Sequence, residues 1–335
     1  LMAKFTAVAK NNNIKSLVAI GGWNEGSIKY SEMASTEEGR EKFTGSAVAF
    51  VEKRGFDGLD LDWEYPAKRG GSAKDKENYA LLLKSLSEKL HSKGYLLTVA
   101  VSADPDTIDN GYDIPSVNRY ADYVSLLSFD YHTASSDNFT GLNAPLHEIP
   151  GEYGTQLNVE NSINKWLDGG VPANKLVLGI PLYGRTYTLQ NPDFHNLGDP
   201  IVANGTAGQF TRQPGFLAYY EICMDNNWQN VRSGDGDLIY AYNGDQWVTY
   251  DDVSAVTFKA QFVMEKGLAG MMAWAVDYED FMNKCGAGEN PLLTAATQAM
   301  RRLNTENEFT SKPEYQLQIA TAQQQLQIAP AQQFF

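Results

Sequence analysis

The chain is poor in metal-binding and in basic side chains. Its 335 residues include 2 Cys and 4 His. With neither a CxxC pair nor a His/Cys cluster, no metal site and no cofactor are expected. Lys and Arg number 27 against 41 Asp and Glu, a formal net charge of -14. That deficit argues against a nucleic-acid partner, whose phosphates need a basic surface. It leaves neutral ligands such as polysaccharides open. No apolar run approaches the roughly 20 residues that span a bilayer, so no membrane partner is expected either. The N-terminal "LMAKFTAVAKNNNIKS" lacks the apolar core of a secretory signal and reads as the end of an amphipathic helix. Cys223 and Cys285 fit either one long-range disulfide or two buried thiols, and composition does not choose between them. Asn138-Phe-Thr and Asn204-Gly-Thr are glycosylation sequons.

What is present is a soluble, globular composition, 43% hydrophobic and 20% charged, with short apolar runs alternating with helical patterns. The runs predict strands at Ser16–Ile20, Asp57–Asp62, Leu96–Ser102, Tyr123–Phe129, Leu176–Pro181 and Gly270–Val276. Runs such as "LLTVAVSA" are apolar on both faces, as in parallel sheets covered on each side. Ser35 and Glu38 predict a capping box, with Gly55 closing that helix. Tyr79, Leu82, Leu83, Leu86 and Leu90 fall on one helical face. Asn290 and Pro291 read as the start of a last helix.

Strands alternating with helices predict an α/β fold, a (β/α)8 barrel, which needs eight strands. Only six can be placed, and the helical start at Leu1–Asn13 sits inside a second βα unit. The chain is therefore expected to lack the first two barrel strands and to be a piece of a longer protein. Residues 1–185 and 257–303 are assigned to the barrel. The interval 186–256, rich in Tyr, Asn, Gly and Asp, is too long for a loop and predicts a small inserted α+β subdomain. Residues 304–335 are polar and Gln-rich, with the composition of a disordered tail or linker.

The most informative stretch is "FDGLDLDWEYP", Phe56 to Pro66. Side chains alternate along a strand, so Asp60, Asp62 and Glu64 face one way and Leu61, Trp63 and Tyr65 the other. If the apolar set packs on the helices, the acids line the barrel interior and step toward the strand's C-terminal end, where active sites of barrels lie. Clustered, partly desolvated carboxylates cannot all ionise cheaply. Such a series can keep its outermost acid protonated near neutral pH, as a general acid requires. A solvated acidic strand edge or a calcium site is the plainer alternative. Calcium, however, favours a loop of oxygen ligands with Gly over alternate strand positions.

"DGLDLDWE" resembles the DxxDxDxE signature of glycoside hydrolase family 18, the chitinases and chitinase-like proteins. "SLVAIGGW", "LSFDYH", "PLYGR" and "AGMMAWAVD" resemble further strands of that family, in order, along roughly residues 1–303. "LAYYEIC" and "NGDQWVTYDD" resemble the insertion subdomain of its chitinase branch, and the likeness is nearest to arthropod-type chitinases. The resemblance implies hydrolysis of β-1,4-linked N-acetylglucosamine polymers with retained configuration, the substrate's acetamido oxygen acting as nucleophile.

It implies roles for particular residues as well. Glu64 would be the acid/base, Asp62 the group that orients the acetamido, Asp60 its proton-sharing neighbour and Asp57 a structural or substrate-side partner. Trp274 would floor the cleaved subsite, with Trp23 and Asn24 on the leaving-group side. Tyr65, Asp130, Tyr183 and Arg185 would surround the reacting sugar. Cys223 and Cys285 would form a disulfide clamping the insertion. Where the family has MxYD, this chain has Leu127, Ser128, Phe129 and Asp130. Phe129 cannot donate the hydrogen bond that a tyrosine there gives the acetamido oxygen. Two functions are thus expected to compete. One is a secreted, extracellular, monomeric chitinase acting on chitin or chito-oligosaccharide, slow because of Phe129. The other is a lectin-like relative that binds chitin without cutting it. Retention of an acid at position 64 favours the enzyme.

Overall fold

The computed structural model describes residues 2–149, 156–233 and 238–310, with backbone alone for 302–310 and for Ser233. Six parallel strands form one curled sheet: β1 (Leu17–Gly21), β2 (Gly58–Asp62), β3 (Leu96–Ser102), β4 (Tyr123–Leu127), β5 (Leu176–Pro181) and β12 (Gly270–Trp274). They pair in the order β1-β2-β3-β4-β5-β12, with helices between them. The result is a half-barrel in which β1 and β12 are the edges among the described residues. The sequence places all six strands, to within two residues at each end.

Hydrophobic burial explains the arrangement. Leu59, Leu61, Leu97, Val99, Val124, Leu126, Leu176 and Leu178 are fully buried in one cluster. The same cluster contains Leu82, Leu83, Leu86 and Leu90 of the helix Asp75–His91. Each such side chain contributes about 1.5–3 kcal/mol by leaving water. The alternation predicted for β2 holds here. Trp63 is fully buried on the helix side, its indole N–H donating to Ser27 Oγ at 2.5 Å. Tyr30 and Tyr79 pack on its ring. β1 closes on β2 so tightly that a Cβ at Gly21, where φ is +125°, would fall 1.9 Å from the carbonyl oxygen of Asp62. Only glycine fits there.

Two predicted caps are corrected. The helix Glu37–Arg54 is capped by Thr36, whose side chain accepts from Gly39 N, rather than by Ser35. At Pro291–Thr310, Asn290 sits at φ +52°, outside the extended region of an N-cap, and its Oδ1 has no partner among the described residues. Glu279 Oε1 takes the Leu292 N–H instead, at 2.7 Å. That last helix continues to Thr310, into the interval read from composition as tail. The Gln-rich stretch from residue 311 lies outside the described residues.

The second sheet is antiparallel and forms the inserted subdomain. It comprises β6 (Tyr183–Leu189), β7 (Ile201–Asn204), β8 (Phe216–Ala218), β9 (Gln229–Ser233), β10 (Leu238–Asn243) and β11 (Gln246–Thr249), ordered β7-β6-β11-β10-β9 with β8 on β6. Its first strand begins at Tyr183, so Tyr183 and Arg185, counted with the barrel from sequence, belong to the insertion sheet. Cys223 and Cys285 are joined in a disulfide. The bridge ties the helix Tyr219–Cys223 of the insertion to the segment after β12.

Candidate active site

Most of the predicted site residues stand at or just beyond the C-terminal ends of the parallel strands: Trp23 and Asn24 after β1, Glu64 and Tyr65 after β2, Phe129 and Asp130 after β4, Trp274 at the end of β12. Parallel strands place these ends on one face of the sheet.

The acids of β2 form a graded series. Asp60 lies opposite Thr98 in the β2–β3 register, and the Thr98 hydroxyl donates to its Oδ1. Burial still raises its carboxyl above the usual range. Asp62 is 8% exposed, and its Oδ1 has no hydrogen-bond partner among the described residues. Burial, then the neighbouring Glu64 and Asp60, push its pKa up to about 7. Glu64 is half-buried and is also raised, chiefly by burial and further by Asp130. The Tyr65 hydroxyl and the Arg69 guanidinium oppose that rise. These are the signatures of desolvation and like charge expected from the alternating acids.

Two sequence assignments change. Tyr65 does not continue the helix-facing set. The strand ends at Asp62; Trp63 and Glu64 still follow the alternation, but it fails at Tyr65, whose hydroxyl turns back to hydrogen-bond Glu64. Asp57 does not join the other acids at the C-terminal end of β2. It lies just before the N-terminal end of β2, where its carboxylate accepts from Ser16 N at 2.9 Å and Ser16 Oγ at 3.2 Å and pairs with Lys15 at 3.1 Å. Those contacts, the Ser16 N–H first, hold its pKa below the usual carboxylate value. It is a structural acid at the other end of the strand.

A second polar group faces the stack from β4 and β6. Asp130, at φ +62°, accepts from Tyr183 Oη at 2.8 Å and from Arg185 Nε and Nη2 at 2.6 and 2.5 Å. This bidentate fork fixes the carboxylate's orientation. Asn143 buttresses it, accepting the Asp130 N–H at 2.9 Å and donating to Tyr183 O at 3.3 Å. Around Tyr183 runs an aromatic wall. Phe216 stacks on it at 4.5 Å, and Phe129 and Tyr278 meet it edge to face at 6.0 and 6.1 Å. Trp274 is 49% exposed at the end of β12 and Trp23 60% exposed after β1. Exposed rings of this kind cover the apolar faces of sugar rings. Asn24 is exposed beside Trp23, in the turn Trp23–Glu25. Asn138 and Asn204 are exposed on the insertion side of the molecule. A concavity of ≈ 470 Å³ opens on the insertion sheet, and none of the predicted site residues lines it.

The family model described as glycosyl hydrolases family 18 matches residues 2–279. The chain belongs to that family. It is 43% identical over 295 residues to a Drosophila melanogaster protein named "Probable chitinase 10", covering 85% of this chain but only 13% of that protein. Among solved structures, the Ostrinia furnacalis Group IV chitinase in complex with allosamidin aligns with a TM-score of 0.87 and 38% identity, over 90% of this chain and 83% of that one. Human YKL-39 aligns with a TM-score of 0.84 and 34% identity, over 89% and 84% respectively. It is described as a pseudo-chitinase with retained chitooligosaccharide binding. The family fold thus spans proteins described as chitinases and one described as a pseudo-chitinase.

Several neighbours of this candidate site were not singled out from sequence. Thr98 had a signal, a hydroxyl in the middle of an otherwise apolar strand run. Phe216, Tyr278, Asn143 and Arg69 had none, because loops and the insertion carry them in.

Proposed function

We propose that the protein hydrolyses β-1,4-linked N-acetylglucosamine polymers with retention, the substrate's 2-acetamido oxygen attacking the anomeric carbon. Glu64 donates its proton to the glycosidic oxygen as the C–O bond breaks. Asp62 accepts the acetamido N–H and offsets the positive charge of the cyclic intermediate. Asp60 shares the proton displaced from Asp62. Water then attacks the anomeric carbon as its bond to the acetamido oxygen breaks, and gives its proton to the Glu64 carboxylate, restoring the acid and the free acetamido group. Trp274 would floor the cleaved subsite, and Tyr183, Arg185 and Asp130 would hold the sugar's polar groups.

One observation carries this reading: Glu64 stands at the rim of a buried acid series whose proton affinity is raised, which is what a general acid needs near neutral pH. An extracellular setting accords with the Cys223–Cys285 bridge. The test is Glu64→Gln in the full-length protein. Release of oligosaccharides from colloidal chitin should fall by at least about 10²–10⁴-fold, with chito-oligosaccharide binding retained. Wild-type turnover in the variant would remove Glu64 from the role.

A second reading, a weakly active or inactive chitin-binding protein, is favoured by Phe129, which carries no hydroxyl for the acetamido oxygen. The two part on whether the wild-type protein releases soluble sugar from chitin.

A further inference from the structure

The segment between β2 and the helix Asp75–His91 is organised by a buried carboxylate. Asp75 is fully buried and accepts from Ser31 Oγ at 2.6 Å, Ser72 N at 2.9 Å and Ala67 N at 3.1 Å. At Gly70, where φ is +85°, a Cβ would meet the Ile28 side chain at 2.8 Å. The path of the loop is therefore fixed on both sides of Arg69, which itself turns at φ +50°.

From this fixed loop the Arg69 side chain folds back over the cleft rim. Its guanidinium carbon lies 3.6 Å from the centroid of the Trp23 ring. Its Nη1 donates to the carbonyl oxygens of Trp23 at 2.8 Å and of Glu64 at 3.0 Å. A single planar group thus grips one face of the indole, the backbone that carries the indole, and the backbone that carries the acid. A lysine could supply the charge but not the stacked plane together with the fork. Trp23 is nonetheless 60% exposed, so the rest of the ring is open to a ligand.

We propose that Arg69 is a positioning residue, holding the indole of Trp23 in register with Glu64 so that the free face of the ring receives the sugar on the leaving-group side. This rests on the reading of Trp23 as a sugar platform and Glu64 as the acid. Without Arg69, an exposed tryptophan on a short turn would sample several rotamers, and its sugar would lose a defined distance to the acid.

Beyond holding its loop, Arg69 acts on the proton affinity of Glu64 by its charge, which Lys would retain and Gln would not. Besides the Trp23 N–H, which hydrogen-bonds the Glu64 carboxylate, the groups that bear on Glu64 are Asp62, Asp130, Tyr65, Tyr112 and Arg69, and Arg69 is the cation among them. Its removal lets Glu64 keep its proton to higher pH, and the basic limb of the pH–rate profile moves up with it.

The experiment compares Arg69→Gln, Arg69→Lys and Trp23→Ala in the full-length protein. Dissociation constants for a chito-oligosaccharide are measured in the Glu64→Gln background, so that they do not depend on turnover. Arg69→Gln should weaken binding about 3- to 10-fold and move the basic limb of the active protein upward. Arg69→Lys should restore the limb but not the affinity. Adding Arg69→Gln to Trp23→Ala should cost no further affinity. Unchanged affinity and an unmoved limb in Arg69→Gln, or full additivity with Trp23→Ala, overturns the inference. If Trp23→Ala itself binds normally, the inference falls through the platform role of Trp23. If Trp23→Ala binds weakly and Arg69→Gln does not, it falls through Arg69 alone.

Discussion

The protein treats two sets of its buried carboxylates in opposite ways. At the junction of the insertion and the barrel, Asp251 (6% exposed) pairs with Lys259 (1% exposed) on the helix Val253–Lys266. Asp75, under the β2 loop, is saturated with hydrogen bonds from Ser31, Ala67 and Ser72. On β2, Asp62 has one oxygen without a partner, and neither it nor Asp60 has a cation against it. An uncompensated buried acid of this kind costs stability. The partnered acids brace the fold, and the β2 acids hold the raised proton affinity that the proposed chemistry would use.

The contrast predicts opposite responses to mutation. Lys259→Met leaves Asp251 buried without its partner and should cost about 3–5 kcal/mol of unfolding free energy, read from urea denaturation. Hydrolysis per folded molecule should barely change. A stability close to wild type would show that the pair is dispensable and weaken the contrast.

Asp62→Asn should act the other way on stability, and in a pH-dependent manner. The folded-state pKa of about 7 lies above the ordinary value of 3.8. Between those values the folded chain holds a proton that the unfolded chain releases. Stability therefore falls as pH rises through this window and levels off above it. Asparagine removes the titration. The variant should gain about 2–4 kcal/mol over wild type at pH 8 relative to the difference at pH 4, while losing activity. Thermal melts at the two pH values test this, and a pH-independent difference would contradict it.

The smallest effect is expected at Phe129. Phe129→Tyr supplies a hydroxyl next to Tyr183 in the aromatic wall. A hydrogen bond to a charging oxygen is worth about 1–3 kcal/mol, or roughly 5- to 150-fold in turnover. Because the bond strengthens as the intermediate forms, kcat on a soluble chito-oligosaccharide should rise more than affinity. Equal or lower turnover would mean that Tyr183 or another donor already serves that oxygen.

What could be read without coordinates follows a physical rule. The parallel strands were legible because apolar runs covered on both faces leave a pattern in sequence. The acid series was legible because side chains alternate with period two, and Trp63 takes the helix face as alternation requires. Tyr65 escaped because it lies three residues beyond the strand's end at Asp62, where the backbone no longer keeps period two. Asp57 was drawn toward the substrate by sharing a motif with Glu64, although the strand's length separates their ends. Thr36 displaced Ser35 as a cap because boundaries shift by a residue without changing the pattern. Arg69, Phe216 and Tyr278 reach the site through loop paths and the insertion sheet, which no local periodicity encodes.

The most direct test of the stored proton is a carbon-detected NMR titration of the Asp62 side-chain carboxyl in the folded full-length protein, assigned by its absence in Asp62→Asn. The account predicts a midpoint near 7, moving downward when Glu64→Gln removes the neighbouring charge. A midpoint near 4, indifferent to Glu64, would show that the β2 acids ionise like surface carboxylates and hold no proton for catalysis.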